Sequence, residues 1–120
     1  MAVVEATRRD PVSVVRALGV ADPNASLRAA GELTGAIDRR PNQGRDPYEA
    51  GQLAVYQWAI SGAGPAPGSW LPWNGQQPTA EHATAEQYMI TARVYQPHDA
   101  TTQAWVGGAD EALAWALSRE

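Results

Sequence analysis

The stretch from residue 62 to residue 78, GAGPAPGSWLPWNGQQP, places the strongest limit on how this chain folds. It contains four prolines and four glycines, spread along its whole length. Both residue types interrupt helices and central strands. A connection of this length without a regular element is unusual in a compact domain. The sequence therefore predicts one long loop with regular structure on both sides of it.

Helical periodicity accounts for most of the remaining sequence. Apolar residues recur at helical spacing in five segments, which predicts helices over residues 11–19, about 24–40, 47–61, 79–96 and 99–119. Few segments alternate with the period of two that strands require. The predicted fold class is all-α, a compact bundle of about five helices with the loop 62–78 packed across it.

Local signals mark the ends of these helices. Asp46 followed by Pro47 is a favourable helix start, and Glu49 stands at capping-box spacing from Asp46. Gly62 is a suitable C-terminal stop for the same helix. In the last helix, Gly107 and Gly108 interrupt the apolar pattern without shifting its phase. We therefore favour one long helix there over a short helix that restarts at Asp110.

Length and composition narrow the class of protein. The 120 residues predict a single domain, 1–120, in which residues 1–10 form a flexible N-terminus. No apolar run approaches the roughly 20 residues that a bilayer requires, and the N-terminus has no signal-peptide pattern, so we expect a cytoplasmic protein without a membrane partner. The chain has no cysteine and no lysine, which excludes thiolate metal sites and Walker-type phosphate loops. No cofactor is expected.

The best candidate for a metal-dependent enzyme or small-ligand site is weak. His82 and Glu86 share a helix face at i, i+4 spacing, near the tryptophans of the loop. A metal site needs three or four converging ligands, and the sequence supplies no second pair. The sequence favours a solvent-facing first turn for this pair, and a protein that is not an enzyme.

The first alternative, ahead of an enzyme, is a DNA-binding regulator that uses a helix-turn-helix-like segment at residues 11–40. Its second helix would present Arg28, Arg39 and Arg40 to phosphates. Pro23 lengthens the connection beyond the usual turn, and the isoelectric point near 5.1 lacks the usual basic footprint. Nucleic acid is therefore disfavoured as a partner.

The loop itself carries the preferred functional hypothesis. Trp70, Leu71 and Trp73 lie on a stiff proline and glycine framework, which suits both recognition and the sealing of a core. We expect at least one of the two indoles to be buried against the helices. Net charge is +2 over residues 1–45 and −6 over residues 46–120, an asymmetry that can guide a partner.

The sequence thus favours a small non-enzymatic protein-interaction domain, such as an adaptor, inhibitor or assembly factor. Its candidate interaction residues are Trp70, Leu71, Trp73, Arg39 and Arg40. The expected partner is another protein. A homodimer is also expected, because the third and last predicted helices carry more apolar surface than one small core requires.

Overall fold

The computed structural model describes residues 25–42, 45–73 and 75–119. These residues contain four helices and two short strands. In chain order the elements are β1 (Ala25–Leu27), α1 (Ala30–Asp38), α2 (Pro47–Ser61), α3 (Ala80–Val94), α4 (Ala100–Ala116) and β2 (Leu117–Arg119). The helical bundle is confirmed, with four helices rather than five in these residues. The helix predicted over 11–19 and the flexible segment predicted over 1–10 lie outside the described residues.

Two predicted helix boundaries are wrong, and for one shared reason. The helix predicted from about residue 24 begins at Ala30, and the last helix ends at Ala116. The residues left over are β1 and β2, which pair antiparallel with Ser26 opposite Ser118. The Arg28 N–H continues this pairing by donating to the Ala116 carbonyl at 2.9 Å. Hydrogen bonds between distant segments thus override the local helical pattern.

The other helix ends follow local capping, with one exception. Gly62 ends α2 with a φ of 74°, a left-handed conformation that glycine adopts without strain. Thr79 caps α3, and Asp99 caps α4 by accepting the Thr102 N–H at 2.7 Å. The capping box predicted for α2 is wrong. Asp46 makes no side-chain cap, and the Glu49 carboxylate accepts the backbone and side-chain N–H groups of Asn42 instead of the Asp46 N–H.

Helices α2 and α4 touch through their backbones. A Cβ on Gly108 would lie 1.9 Å from the Tyr48 carbonyl oxygen, and a Cβ on Gly51 would lie 2.1 Å from the Trp105 carbonyl oxygen. The helix that contains Gly107 and Gly108 is continuous, as expected. Gly108 permits the close crossing with α2. All four helices contribute to the core, whose largest fully buried side chains include Trp58, Leu33, Ile90, Leu113, Val55 and Val106.

We predict opposite effects for alanine at the two adjacent glycines of α4. Gly108→Ala forces a methyl group against the Tyr48 backbone and should lower the free energy of unfolding by about 1–3 kcal/mol. Gly107→Ala is the matched control, since its methyl would meet only the Tyr48 ring edge at 3.5 Å. That variant should gain about 0.5–1 kcal/mol of helix stability. Urea unfolding followed by circular dichroism measures both, and equal effects would contradict the close crossing.

The Asp99 cap makes stability depend on pH. Hydrogen bonds from the backbone and side chain of Thr102 hold the pKa of Asp99 below its usual range. A lowered folded-state pKa gives stability that is present above the unfolded-state pKa and is lost as pH falls through the folded-state value. We expect wild type to lose its advantage over Asp99→Asn in acid, whereas the difference should be constant between pH 6 and 8. Thermal melts of both proteins from acid pH to pH 8 measure the difference in stability.

Candidate functional site

A buried carboxylate on α3 holds the loop between α2 and α3, here called the tryptophan loop (residues 62–79). Glu86 is only 3% exposed. One of its oxygens accepts the N–H groups of Gly68 and Ser69, both at 2.8 Å, and the Ser69 hydroxyl lies about 3 Å from both oxygens. These bonds compensate the desolvation of the charge, which would otherwise be costly. The loop is thus fastened to the helix at residues 68–69.

Arg93, two turns further along α3, holds the same two loop residues through their carbonyls. Its Nε donates to the Gly68 oxygen at 2.6 Å, and one terminal nitrogen lies 3.4 Å from the Ser69 oxygen. Gly68 fits because a Cβ there would lie 2.0 Å from the Glu86 carbonyl oxygen. The acid and the base therefore grip opposite polar groups of one short backbone segment.

Trp70 follows this grip in an unusual conformation. Its φ of 61° lies in the left-handed region, which bulky side chains rarely adopt. The Arg93 guanidinium lies 3.7 Å from the centre of the Trp70 ring, and Trp105 of α4 meets the ring edge-on at 6.3 Å. The indole is still 40% exposed. Trp70 is therefore an exposed aromatic side chain with a fixed position.

Trp73 is partly buried and packs against the core. Its ring lies 5.2 Å from Trp58 and 5.1 Å from His82, edge-on in both cases, and its Nε1 donates to the Gln76 carbonyl. The two indoles of the loop thus differ in environment, with Trp73 against the helices and Trp70 at the surface beside the exposed Leu71.

An open groove lies between the two indoles. We call it the tryptophan groove; its volume is about 400 Å³ and its lining residues are Gly64, Pro65, Trp70, Pro72 and Trp73. None of these five side chains is charged, and the indoles and proline rings make its walls apolar. Of the sequence-predicted residues, Trp70 and Trp73 line this groove, whereas Leu71 is exposed but does not line it.

Arg39 and Arg40 do not join that surface. Both line a separate pocket with Tyr56 and Trp115, and this pocket shares no residue with the tryptophan groove. Arg28, the third arginine of the DNA-binding hypothesis, stacks on Trp115, donates to its carbonyl and pairs with Glu32. Residues 11–24 of that hypothesis lie outside the described residues.

His82 and Glu86 share a helix but have different partners. The His82 ring lies 3.1 Å from the Thr79 N–H, in a capping box at the start of α3, whereas Glu86 faces the loop backbone. In the described part of the chain, no group of three His, Cys, Asp or Glu side chains is arranged to hold a metal. The solvent-facing position expected for Glu86 is wrong, because the loop covers it.

Sequence reasoning missed the roles of Glu86 and Arg93. One signal was available for Glu86, which falls on the same buried face of its helix as Ala83 and Ile90. A charged residue on a buried face needs hydrogen-bonding partners. No sequence signal identifies Gly68 and Ser69 as those partners.

Known proteins do not identify this site. No protein-family model matches the chain, and no curated protein or solved structure matches it either. Among the described residues, none of the helices has the length and apolar character needed to span a bilayer. The functional interpretation depends on the geometry of the site.

The carboxylate grip can be tested at the amides that it holds. Glu86→Ala removes the acceptor of the Gly68 and Ser69 N–H groups, so we expect their exchange with D₂O to accelerate and the free energy of unfolding to fall by about 2–4 kcal/mol. Glu86→Gln keeps one oxygen acceptor in the same shape, so both effects should be smaller. NMR hydrogen exchange measures this, and unchanged protection in Glu86→Ala would contradict the grip.

Proposed function

We propose that this chain is a small, non-enzymatic protein-interaction domain that binds an extended, proline-containing segment of a partner protein in the tryptophan groove. The observation that carries the proposal is Trp70, which is exposed, has a left-handed backbone conformation and packs its ring against Arg93 and Trp105. Cytoplasmic location is part of this proposal and follows from the sequence expectations.

The conformation of Trp70 supports a binding role because it costs energy. A non-glycine residue in this region costs about 1–3 kcal/mol, and such strain concentrates at functional sites. The grip on Gly68 and Ser69 and the stacking on Arg93 fix the indole before any partner arrives. An aromatic side chain that is already ordered loses little entropy on binding, which is the property of a binding hot spot.

The lining of the groove favours a proline-containing occupant. Aromatic grooves bind polyproline II segments, which are stiff and bring few unpaired N–H groups to an apolar surface. The groove is open and shallow, which suits an extended chain. Arg93 stacks on Trp70, which lines the groove, and among the described residues Arg93 has no carboxylate within ion-pair distance. A segment with an acidic residue next to its prolines therefore gains charge complementarity.

The other hypotheses have less support. Arg28, Arg39 and Arg40 have separate surroundings, and no observation favours a duplex on them. His82 and Glu86 each have another partner within the chain. A homodimer stays a prediction, although much of the apolar surface of α2 and α4 on which it rested is buried inside one chain. Light scattering at micromolar concentration tests it.

We predict that a ten-residue proline peptide containing two glutamates binds the protein saturably. The same peptide with two lysines should bind about fivefold to tenfold more weakly, because Arg93 repels it. Trp70→Gly should abolish binding, and glycine adopts the backbone conformation of residue 70 without strain. Calorimetry at about 0.15 M salt, where long-range charge effects are screened, measures the affinities.

Tyr95→Ala is the matched control for the loss of an exposed aromatic. Tyr95 is 85% exposed and does not line the groove. Its removal should leave peptide binding unchanged. If neither peptide binds, or if Trp70→Gly and Tyr95→Ala lose binding equally, the proposed occupant of the groove is refuted.

A further inference from the structure

A second pocket lies at the end of α1, where this helix meets α2 and α4. We call it the arginine pocket; it has a volume of about 450 Å³, and the side chains that matter are Arg39, Arg40, Tyr56, Glu111 and Trp115. This volume is in the range of small-molecule sites. It shares no residue with the tryptophan groove, so it requires its own explanation.

Arg40 enters this pocket with donors to spare. One of its terminal nitrogens donates to the Gln52 side-chain oxygen at 3.0 Å, and its guanidinium lies 5.9 Å from the centre of the Tyr56 ring. Its Nε is buried and has no hydrogen-bond acceptor in the described residues. Buried N–H groups normally have a partner. Because this Nε has almost no accessible surface, the acceptor of a ligand in the pocket is expected at the terminal nitrogens of Arg40 rather than at Nε.

The charges in the pocket are unbalanced. Arg39 is exposed at the mouth of the pocket, and Arg40 is partly buried. Within the described ranges, neither arginine has a carboxylate at ion-pair distance. Glu111, the one acid of the lining, accepts the Tyr48 hydroxyl, and the Gln52 side-chain nitrogen lies 3.4 Å from its other oxygen. Burial and this bond to Glu111 raise the pKa of Tyr48 to about 12. The lining is left with an excess of one positive charge, which suits a monoanion better than a dianion.

The remaining walls are apolar and flat. The rings of Tyr56 and Trp115 meet edge-on at 5.7 Å, and Ala36 and Ala114 contribute only methyl groups. Burial raises the pKa of Tyr56, with Arg40 opposing the shift, so its phenol is neutral near pH 7. A planar apolar body can pack against such rings.

We propose that the arginine pocket binds a small organic monoanion, a carboxylate on a planar apolar body. The carboxylate accepts N–H groups from Arg40 and Arg39, and the body packs against Tyr56 and Trp115. Arginine suits this role because its planar donors match the two oxygens of a carboxylate.

The test uses benzoate and its neutral isostere benzamide as probes. In a ¹⁵N–¹H spectrum, benzoate should shift the Arg40 Nε–Hε signal saturably, and benzamide at the same concentration should not. Inorganic phosphate should shift it less than benzoate, because phosphate has more charge and no apolar body. No saturable shift with benzoate, or equal shifts with benzamide or phosphate, would overturn the proposal.

Three variants locate the effect. Ala114→Leu fills the pocket from its exposed rim and leaves both arginines intact, so it should weaken benzoate binding at least about tenfold. Arg40→Gln should also weaken benzoate binding at least about tenfold, and the Arg39 Nε–Hε signal reports the binding in this variant. Arg45→Gln removes the same charge from an exposed residue that does not line the pocket, and it should bind benzoate as wild type does. If Ala114→Leu and Arg45→Gln bind benzoate equally well, the proposal is overturned. This comparison holds even if Arg40→Gln does not fold.

Discussion

The close contact between α2 and α4 is the constraint on which the rest of the structure depends. Gly51 and Gly108 let the two backbones meet, because no side chain larger than hydrogen fits at either position. This contact fixes α4, which supports one candidate site and lines the other. Its Trp105 supports Trp70 of the loop, and its Glu111 and Trp115 line the arginine pocket. The two sites are thus separate surfaces that share one rigid support.

The tryptophan loop depends on a second, electrostatic constraint. A buried carboxylate is tolerated only when hydrogen bonds replace its water, and Glu86 obtains these bonds from the backbone of Gly68 and the backbone and side chain of Ser69. The same bonds order a segment that its proline and glycine content keeps out of helices and sheets. Arg93 completes the arrangement, since it binds the loop carbonyls and stacks on Trp70. The loop is irregular in conformation but has defined contacts.

The interaction residues proposed from the sequence lie at two separate places in the structure. Trp70, Leu71 and Trp73 were selected because large apolar side chains on a stiff framework suit recognition; Trp70 and Trp73 line the tryptophan groove, and Leu71 is exposed next to Trp70. Which indole packs against the core was not predictable, because it depends on contacts to Trp58 and Trp105 that are distant in sequence. Arg39 and Arg40 were selected as a pair at a helix end. Their pocket depends on α2 and α4, which no local pattern specifies.

Features that local chemistry controls can be read from the amino-acid sequence. These are the helical class, the long loop over 62–78, the stop at Gly62 and the caps at Thr79 and Asp99, since each depends on residues within a turn of the feature. The pairing of Ala25–Leu27 with Leu117–Arg119, the burial of Glu86 and the position of Trp70 depend instead on tertiary contacts. Strand pairing and the burial of charge depend on partners that folding brings together from distant parts of the chain, and periodicity and capping patterns contain no information about those partners.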